Sequence, residues 1–177
     1  MSEPELIQRL QKGEGKAHKV VYEKYAGIML GICLRYLKNQ MDAEEVMLNG
    51  FVKIFQHVHQ YESKGSFEGW MKRIMVNEAL MQIRKKEPVY LSIDSEYDIF
   101  EADSRTDHDL DAQELMDLLN ELPSGYRTVF NLYAIEGYNH KEIGELLGIS
   151  EGASKSQLSK ARAALQKKIN QLTTALA

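Results

Sequence analysis

The sequence predicts an all-α protein made of two small helical domains joined by an acidic linker. Two observations carry this prediction. Apolar residues recur at steps of three and four positions near both ends of the chain, and a strongly acidic, aperiodic stretch separates the two patterns. We place the domains at residues 1–87 and 109–177 and the linker at residues 88–108, a division that suits a chain of 177 residues.

The first domain is predicted to hold three helices. The first spans residues 16–37, and its apolar stripe consists of Val21, Tyr25, Ile28, Ile32 and Tyr36. The second spans residues 43–58, with Asp42 in the position of an N-cap. The third begins near Phe67 and ends before Pro88, because a residue that precedes proline disfavours the helical conformation.

Charge is distributed unevenly, and the distribution matters more than the net charge of −4. Residues 1–86 carry a formal charge of +4, residues 87–122 carry −11 and residues 123–177 carry +3. Because phosphate binding depends on the local positive potential, the two basic blocks are compatible with a nucleic-acid partner.

Other features exclude several classes of protein. No run approaches the roughly 18 apolar residues that span a bilayer, and the acidic N-terminus lacks a secretory signal, so we expect a cytoplasmic chain without membrane insertion. Cys33 is the only cysteine, which excludes an internal disulfide. His57 and His59 are two positions apart and point to different faces of a helix, so we expect no metal site and no cofactor.

The second domain is predicted to contain four helices, of which the last two form a helix-turn-helix. A leucine stripe ends at Pro123, and a second apolar stripe, Tyr126, Val129, Phe130 and Tyr133, ends at Gly137. Two further helices span about 140–147 and 151–170 and are joined by a short turn at Gly148. This arrangement is typical of a winged-helix-like, four-helix domain.

The helix after the turn presents a face that suits DNA. Its core side carries Leu158, Ala161 and Leu165, with Ser154 as an imperfect match. The opposite face contains cationic and hydrogen-bonding side chains and no acid: Lys155, Ser156, Gln157, Ser159, Lys160 and Arg162. Such side chains can read base edges or hold phosphates. A charged helix face is usually only solvated, but its place directly after a glycine-turned helix pair favours DNA contact.

These residues resemble a known family. Residues 121–130, 136–149 and 152–165 are similar to the C-terminal promoter-binding domain of the extracytoplasmic-function (ECF) sigma factors, in the sigma-70 superfamily. The first domain resembles their other conserved domain, through Asp42-Ala-Glu-Glu-Val before Phe51-x-x-Ile-Phe, then Phe67-x-x-Trp-x-x-x-Ile and Asn77. The order and spacing of these motifs match over nearly the whole chain.

The resemblance implies a transcription initiation factor whose partners are core RNA polymerase and promoter DNA. One helix would dock on a coiled coil of the largest polymerase subunit through Asp42, Glu44, Glu45, Leu48, Asn49 and Lys53. The next would melt and read the −10 element through Lys72, Arg73, Asn77, Arg84 and Lys85. The helix-turn-helix face would read the −35 element, and the acidic linker would thread the channel used by nascent RNA. Whether an anti-sigma factor also binds is left open.

Some residues depart from the family pattern or allow two interpretations. Leu48-Asn49 stands where family members carry Gln-Glu, and Gln157 stands where a second recognition-helix arginine is usual, which implies a different −35 preference. For Trp70, core packing is favoured over base stacking. Asn77 either faces an extruded base or is an ordinary surface residue. The basic end of the same helix, Arg84 and Lys85, either holds the displaced strand or complements the helix dipole.

Three other classes of function make different predictions. A stand-alone helix-turn-helix regulator would bind palindromic half-sites without polymerase, and the motifs of the first domain speak against it. A sequestering interaction protein that kept only the fold would be expected to lose the cationic face. An enzyme is the least favoured class, because no carboxylate pair, Ser/His/Asp set or metal-ligand cluster falls on a recognisable scaffold.

Overall fold

The computed structural model of the protein describes residues 1–87 and 111–175. Within these ranges the chain is helical and contains no strand, which confirms the all-α prediction. The chain folds as two compact units, Met1–Lys86 and Glu87–Ala177. The linker predicted at residues 88–108 lies outside the described residues. In the described ranges, no helix is long and apolar enough to cross a membrane.

Eight α-helices form in the described ranges. Their bounds are α1 (Glu3–Gln11), α2 (Gly15–Tyr36), α3 (Gln40–His57), α4 (Phe67–Lys86), α5 (Ala112–Asn120), α6 (Ser124–Phe130), α7 (His140–Leu147) and α8 (Glu151–Ala175). A 3-10 turn, Val58–Gln60, follows α3, and a π-helical turn, Asn131–Ile135, continues α6. The predicted helices therefore all form, and α1 is an addition to them.

The first unit is built from α2, α3 and α4, with α1 packed on α2 and on the 3-10 turn. Gly50 allows α3 and α4 to approach closely, because the side chain of Met75 fills the space that a β-carbon would need. A β-carbon placed on Gly50 would overlap Met75 Sδ and lie 2.8 Å from Met75 Cε. Met75 itself is fully buried, so the sulfur of α4 packs directly against the backbone of α3.

Two ion pairs also join α3 to α4. Lys53 Nζ lies 2.5 Å from Glu78 Oε1, and Lys86 Nζ lies 2.5 Å from Asp42 Oδ2. The carboxylates of Glu78 and Asp42 are the less exposed partners, at 12% and 20% of their side-chain surface. Together with the Gly50–Met75 contact, the two pairs hold α3 and α4 together.

The start of α3 corrects one prediction. Its N-cap is Asn39, whose Oδ1 accepts hydrogen bonds from the backbone N–H groups of Met41 at 2.8 Å and Asp42 at 3.4 Å. The prediction that Asp42 caps this helix is wrong, because an earlier capping residue has already started it. Asp42 lies in the first turn, where its carboxylate suits the helix dipole and is bound by Lys86.

One core assignment is also corrected, in α2. Ile28 is 43% exposed, whereas Met29 is fully buried in its place. The buried stripe runs through Val21, Tyr25, Met29, Ile32 and Tyr36, which keeps the steps of three and four. Both neighbours are apolar, so the spacing alone allowed either residue.

The second unit is built from α5 to α8, with α8 packed on α5, α6 and α7. Capping boxes begin two of the helices, Asp111 with Glu114 on α5 and Asn139 with Glu142 on α7. Its apolar core contains Leu118, Leu119, Leu122, Tyr126, Ala161 and Leu165. These contacts fix the position of α8.

The predicted helix-turn-helix is formed by α7 and α8. The turn begins at Gly148, which has φ of +68° and so adopts the left-handed conformation that favours glycine. The backbone N–H of Ile149 donates to Gly144 O at 3.0 Å. A β-carbon on Gly144 would lie 2.7 Å from Ile149 O, so a small residue is needed where the turn folds back on α7.

The π-helical turn after α6 has no counterpart in the prediction. In this turn Asn131 and Leu132 are buried, whereas Tyr133 is 36% exposed. A π-turn accommodates one more residue than an α-turn and therefore rotates the side chains that follow it. The assignment of Tyr133 to an apolar stripe is wrong for this reason, and its ring reaches the surface beside α7.

Candidate nucleic-acid and protein interfaces

Helix α8 exposes most of the predicted cationic face. Lys155, Ser159 and Arg162 follow one another at i, i+4 and i+7, and all three are exposed. Ser156 is exposed beside them, and Lys160 is half-buried at the edge. These side chains form a continuous polar and cationic strip, which we call the α8 face, directly after the turn.

An acidic residue stands at the N-terminal end of the α8 face. Glu151 Oε1 lies 2.7 Å from Lys155 Nζ, one helical turn further along. The hydrogen bond and the charge of Lys155 lower the pKa of the Glu151 carboxyl. Lys155 therefore has an internal counter-ion, which any phosphate or base edge must displace.

Gln157 does not belong to the α8 face. It is 8% exposed, so the prediction that it points outward to read the −35 element is wrong. The buried stripe of α8 consists of Ser154, Gln157, Leu158, Ala161 and Leu165, and the helical period places Gln157 inside it. Ser154, the imperfect match in the sequence, is fully buried, and its Oγ lies 2.9 Å from His140 Nδ1. A polar contact thus joins α8 to α7 where an apolar side chain was expected.

Two aromatic side chains extend the α8 face onto neighbouring helices. The ring of Tyr133 stacks on His140 at the start of α7, with centroids 4.5 Å apart and an interplanar angle of 18°. The guanidinium of Arg162 lies 5.7 Å from the centroid of Tyr133, which is a cation–π distance. The ring restricts the position of Arg162 without neutralising its charge, a suitable arrangement for holding a phosphate. This position of Tyr133 was not predicted, because the residue fitted an apolar stripe.

A second cationic surface lies on α4. Arg73, Asn77, Arg84 and Lys85 are exposed and share one side of the helix, at i, i+4, i+11 and i+12. We call this surface the α4 face. Lys72, predicted to belong to it, is half-buried, and its Nζ lies 2.6 Å from Glu68 Oε1. The structure therefore places four of the five residues that were predicted to contact the −10 element on one surface.

Trp70 lies in an aromatic cluster at the start of α4. Its ring stacks on Phe67, with ring centroids 5.7 Å apart, and contacts Tyr61, with centroids 5.5 Å apart. The residue is half-buried. This packing agrees with the core interpretation of Trp70. Phe67 is fully buried, so the cluster fixes the N-terminal end of α4 and with it the direction of the α4 face.

The outer side of α3 differs in character from both cationic faces. Leu48 and Val52 are 51% and 52% exposed, and exposed Glu45 and Asn49 lie beside them. We call this surface the α3 face. Adjacent exposed apolar side chains with an acidic neighbour suit a protein partner better than DNA. Val52 was missed by the sequence prediction, although its position four residues after Leu48 places it on the same side.

The other predicted polymerase contacts are distributed around this surface. Glu44 is exposed, and its Oε1 accepts a hydrogen bond from Gln40 Nε2 at 2.9 Å. Asp42 and Lys53 point toward α4, where Lys86 and Glu78 bind them. Of the six candidates, Glu44, Glu45, Leu48 and Asn49 are therefore directly available, and the roles of all six stay predictions.

The remaining chemistry-bearing groups of the described ranges are buried or dispersed. Cys33 is fully buried, and burial raises the pKa of its thiol to about 12. Among residues 1–87 and 111–175, no group of three or more His, Cys, Asp and Glu side chains is placed to hold a metal ion. The three surfaces are thus the candidate sites that the described residues offer.

Comparisons with known proteins agree with this geometry. Residues 21–88 match the family description Sigma-70 region 2, and residues 112–165 match Sigma-70 region 4. The ECF RNA polymerase sigma factor SigW of Bacillus subtilis is 29% identical, over 94% of this chain and 96% of its own. The ECF RNA polymerase sigma factor SigE of Mycolicibacterium smegmatis is 30% identical, over 81% of this chain and 58% of its own. The match to SigW spans both units.

Solved structures show the same fold at lower identity. The sigma factor RpoE of Bartonella quintana, solved with the anti-sigma factor NepR, superposes with a TM-score of 0.56 at 21% identity, covering 86% of this chain and 96% of its own. CnrH, solved in complex with the cytosolic domain of CnrY, superposes with a TM-score of 0.54 at 19% identity, covering 94% and 96%.

Proposed function

Since the chain belongs to the ECF sigma factors of the sigma-70 superfamily, we propose that it binds core RNA polymerase and directs it to promoters by reading a −10 and a −35 element. One observation carries the proposal: the region 2 and region 4 matches fall on separate units, and each unit exposes its own cationic helix face. The polymerase supplies the catalysis, so the chain itself is not an enzyme. Its place of action is the cytoplasm, where polymerase and DNA are found.

The mechanism is bivalent. Each unit presents a small DNA-binding surface, and covalent connection raises the effective concentration of the second surface once the first is bound. Promoters that carry both elements are therefore selected over sites that carry one. The phosphate contacts supply affinity, and the base-edge contacts supply the choice of sequence.

On the α8 face, we assign the two kinds of contact to different side chains. Lys155, Ser156 and Ser159 lie nearest the N-terminal end of the helix, the part that enters the major groove in helix-turn-helix proteins, and are proposed to read base edges. Arg162, held over Tyr133, and Lys160 are proposed to bind phosphates. Gln157 is buried and has a packing role in this assignment.

On the α4 face, Asn77 is proposed to contact a −10 base and Arg73, Arg84 and Lys85 the backbone. Asn77 lies between the arginines on the exposed side of the helix, so its amide can reach a base while they hold the strand. Arg84 and Lys85 stand in the last turn of α4, where their charge also complements the helix dipole. Both effects act together and do not exclude one another.

The α3 face is proposed to dock on core polymerase. Leu48 and Val52 would bury their exposed side chains against a helix of the partner, and Glu44 and Glu45 would favour a partner surface that is basic beside its apolar contact. Leu48 and Asn49 replace the Gln-Glu pair usual in the family, so this interface is more apolar than is typical.

The decisive experiment is transcription in vitro, with the purified chain added to core polymerase on fragmented genomic DNA. We expect new start sites that share two upstream motifs at fixed spacing. A chain that binds DNA by itself and gives no initiation would instead be a stand-alone regulator.

A variant and its matched control test the α3 face in the same assay. Leu48→Asp should abolish initiation by preventing polymerase binding, because it places a charge in the apolar part of the α3 face. Val20→Asp introduces the same charge at a 37% exposed residue of α2 and should leave initiation intact. Equal losses in both variants would indicate misfolding or a different docking surface.

An anti-sigma factor is proposed as a further partner. RpoE of Bartonella quintana, which shares the fold, was solved with such a protein. A co-purification from the source cells, analysed with the wild type and with Leu48→Asp, would show whether a protein other than polymerase uses the α3 face. Recovery of polymerase subunits alone would contradict this part of the proposal.

A further inference from the structure

Three irregular features of the second unit meet beside α8. The π-helical turn, Asn131–Ile135, brings the aromatic ring of Tyr133 to the surface. Ser154 is a fully buried polar residue in the otherwise mostly apolar stripe of α8. His140, at the start of α7, contacts both of these side chains. Irregular backbone and buried polar groups in a regular helical unit are common at functional sites, so this cluster calls for a functional explanation.

The cluster forms a chain of contacts that leaves α8 and returns to it. Ser154 Oγ lies 2.9 Å from His140 Nδ1. The ring of His140 stacks on Tyr133, and the guanidinium of Arg162 lies 5.7 Å from the centroid of that tyrosine ring. Ser154 and Arg162 are eight residues apart on α8, about 12 Å along its axis. Two points of one helix are therefore connected through α7 and the π-helical turn.

Each link of this chain restricts the orientation of the next group. The hydrogen bond fixes the imidazole ring of His140, because Nδ1 has to point at Ser154. The ring of Tyr133 lies within 18° of parallel to that imidazole, as stacked rings do. The face of Tyr133 in turn sets where the guanidinium of Arg162 is attracted. The position of Arg162 thus depends on side chains that do not themselves have to contact DNA.

An arginine held in this way is prepared for binding a phosphate. A free arginine side chain samples many rotamers, and ordering it on DNA costs conformational entropy. Arg162 is exposed on the α8 face, and its contact with Tyr133 limits these rotamers before DNA binds. The ring carries no opposing charge, whereas Lys155 on the same face is bound by the carboxylate of Glu151. Arg162 is therefore both restricted in position and available to an anion.

We propose that His140 is a positioning residue that holds Arg162, through Tyr133, at the place of a backbone phosphate of the −35 element. The inference rests on the proposed function, because it takes the α8 face to be the −35 surface. It goes further in giving His140, Tyr133 and the buried Ser154 a role in DNA affinity. Because the positioned group binds the DNA backbone, this role is the same for every −35 sequence.

Double-variant cycles test whether these residues act through Arg162. The affinity of polymerase holoenzyme, assembled with the full chain, for promoter DNA is measured at several salt concentrations. Arg162→Ala should lower the affinity about ten-fold and the salt slope by about one, as expected for one lost phosphate contact. Tyr133→Leu should lower the affinity about two- to five-fold, the range of an exposed cation–π contact. His140→Ala should cost no more than Tyr133→Leu, because it acts through that ring.

The decisive measurement is how these losses combine. In an Arg162→Ala background, Tyr133→Leu and His140→Ala should have no further effect, because the group that they position is absent. In a Lys160→Ala background, which also removes a cation from the α8 face, both should keep their full effect. Tyr133→Phe keeps the ring and should bind DNA like the wild type.

Two variants of His140 test its two links separately. His140→Phe keeps a ring for stacking on Tyr133 and loses the hydrogen bond to Ser154. His140→Asn keeps a hydrogen-bonding group near Ser154 and loses the ring. Because the chain needs both links, each variant should show the loss of His140→Ala. Thermal unfolding identifies a variant that binds weakly because it is misfolded, and the other one then decides.

Three results would overturn the inference. Losses from His140→Ala that add fully to those of Arg162→Ala would mean that His140 contacts DNA itself. Wild-type affinity in both His140→Ala and Tyr133→Leu would mean that Arg162 does not depend on them. Unchanged affinity and salt slope in Arg162→Ala would remove the phosphate contact. In all three cases initiation by the wild type would show that the proposed function still holds, whereas absence of initiation would refute that function itself.

Discussion

Enlarging the side chain at Gly50 while shortening that of Met75 tests how closely α3 and α4 are packed. Gly50→Val adds three heavy atoms at the place where Met75 Sδ and Cε lie, and Met75→Ala removes three from it. Overpacking of this kind costs about 1–3 kcal/mol, and truncating a buried methionine costs about 2–5 kcal/mol. The double variant conserves the volume, so we expect its free energy of unfolding to lie within about 1.5 kcal/mol of the wild type.

The quantity of interest is the coupling between the two changes. If they were independent, the double variant would lose the sum of the two costs. Because one side chain occupies the space of the other, we expect a favourable coupling free energy of about 2 kcal/mol or more, within the range for residues in contact.

Urea unfolding followed by tryptophan fluorescence measures this directly. Trp70 is the one tryptophan of the chain and lies on α4, so its emission reports the first unit. Gly27→Val in α2 is the matched control, because nothing lies within 4 Å of a β-carbon built there. That control should be neutral or slightly stabilising, since valine forms helix better than glycine. Additive losses in the Gly50/Met75 cycle would refute the reasoning.

Four further outcomes are expected. Gly144→Val should lower the midpoint of the second unit in circular-dichroism melts, because its β-carbon meets Ile149 O at 2.7 Å; an unchanged midpoint would mean that the turn is not tightly packed. Asn139→Ala removes the acceptor of the Glu142 N–H bond at 2.9 Å and should destabilise the same unit by about 1 kcal/mol, whereas Asn139→Asp should keep the cap. Cys33 should not react with a thiol reagent at pH 8 until urea unfolds the first unit, because it is fully buried; rapid labelling of the folded chain would contradict this. Its pKa is raised to about 12 from 9.0, so ionisation of the unfolded state should lower the stability of the first unit as the pH rises through that window.

The sequence predicted the helices well, because their stripes reflect burial in a core, and burial follows the helical period. The prediction was less reliable where two nearby residues of similar character could occupy the same structural position. Asn39 and Asp42 can both cap a helix, and in the structure Asn39 accepts the first backbone N–H groups while Asp42 lies in the first turn and binds Lys86. Ile28 and Met29 are both apolar, and the choice between them depends on packing in three dimensions.

The candidate surfaces were predicted less completely than the helices. For Gln157, the prediction grouped a polar side chain with its exposed cationic neighbours, whereas its spacing from Ser154 and Ala161 places it in the buried stripe, and the spacing was the better guide. The π-helical turn that exposes Tyr133 leaves no recognisable sequence signal.

The three contacts between α3 and α4 have a consequence for how distance is measured on a promoter. Three contacts, Lys53 with Glu78, Asp42 with Lys86, and Gly50 with Met75, join α3, the helix proposed to dock on polymerase, to α4, the helix proposed to read the −10 element. If both assignments hold, the distance from the docking surface to the first base read is set by the packing of these two helices, and a shift of one base, about 3.4 Å along the strand, would need that packing to change. The first unit would in this way set a fixed distance between its two contact surfaces. Any tolerance for promoters of different spacing has to arise elsewhere in the assembly.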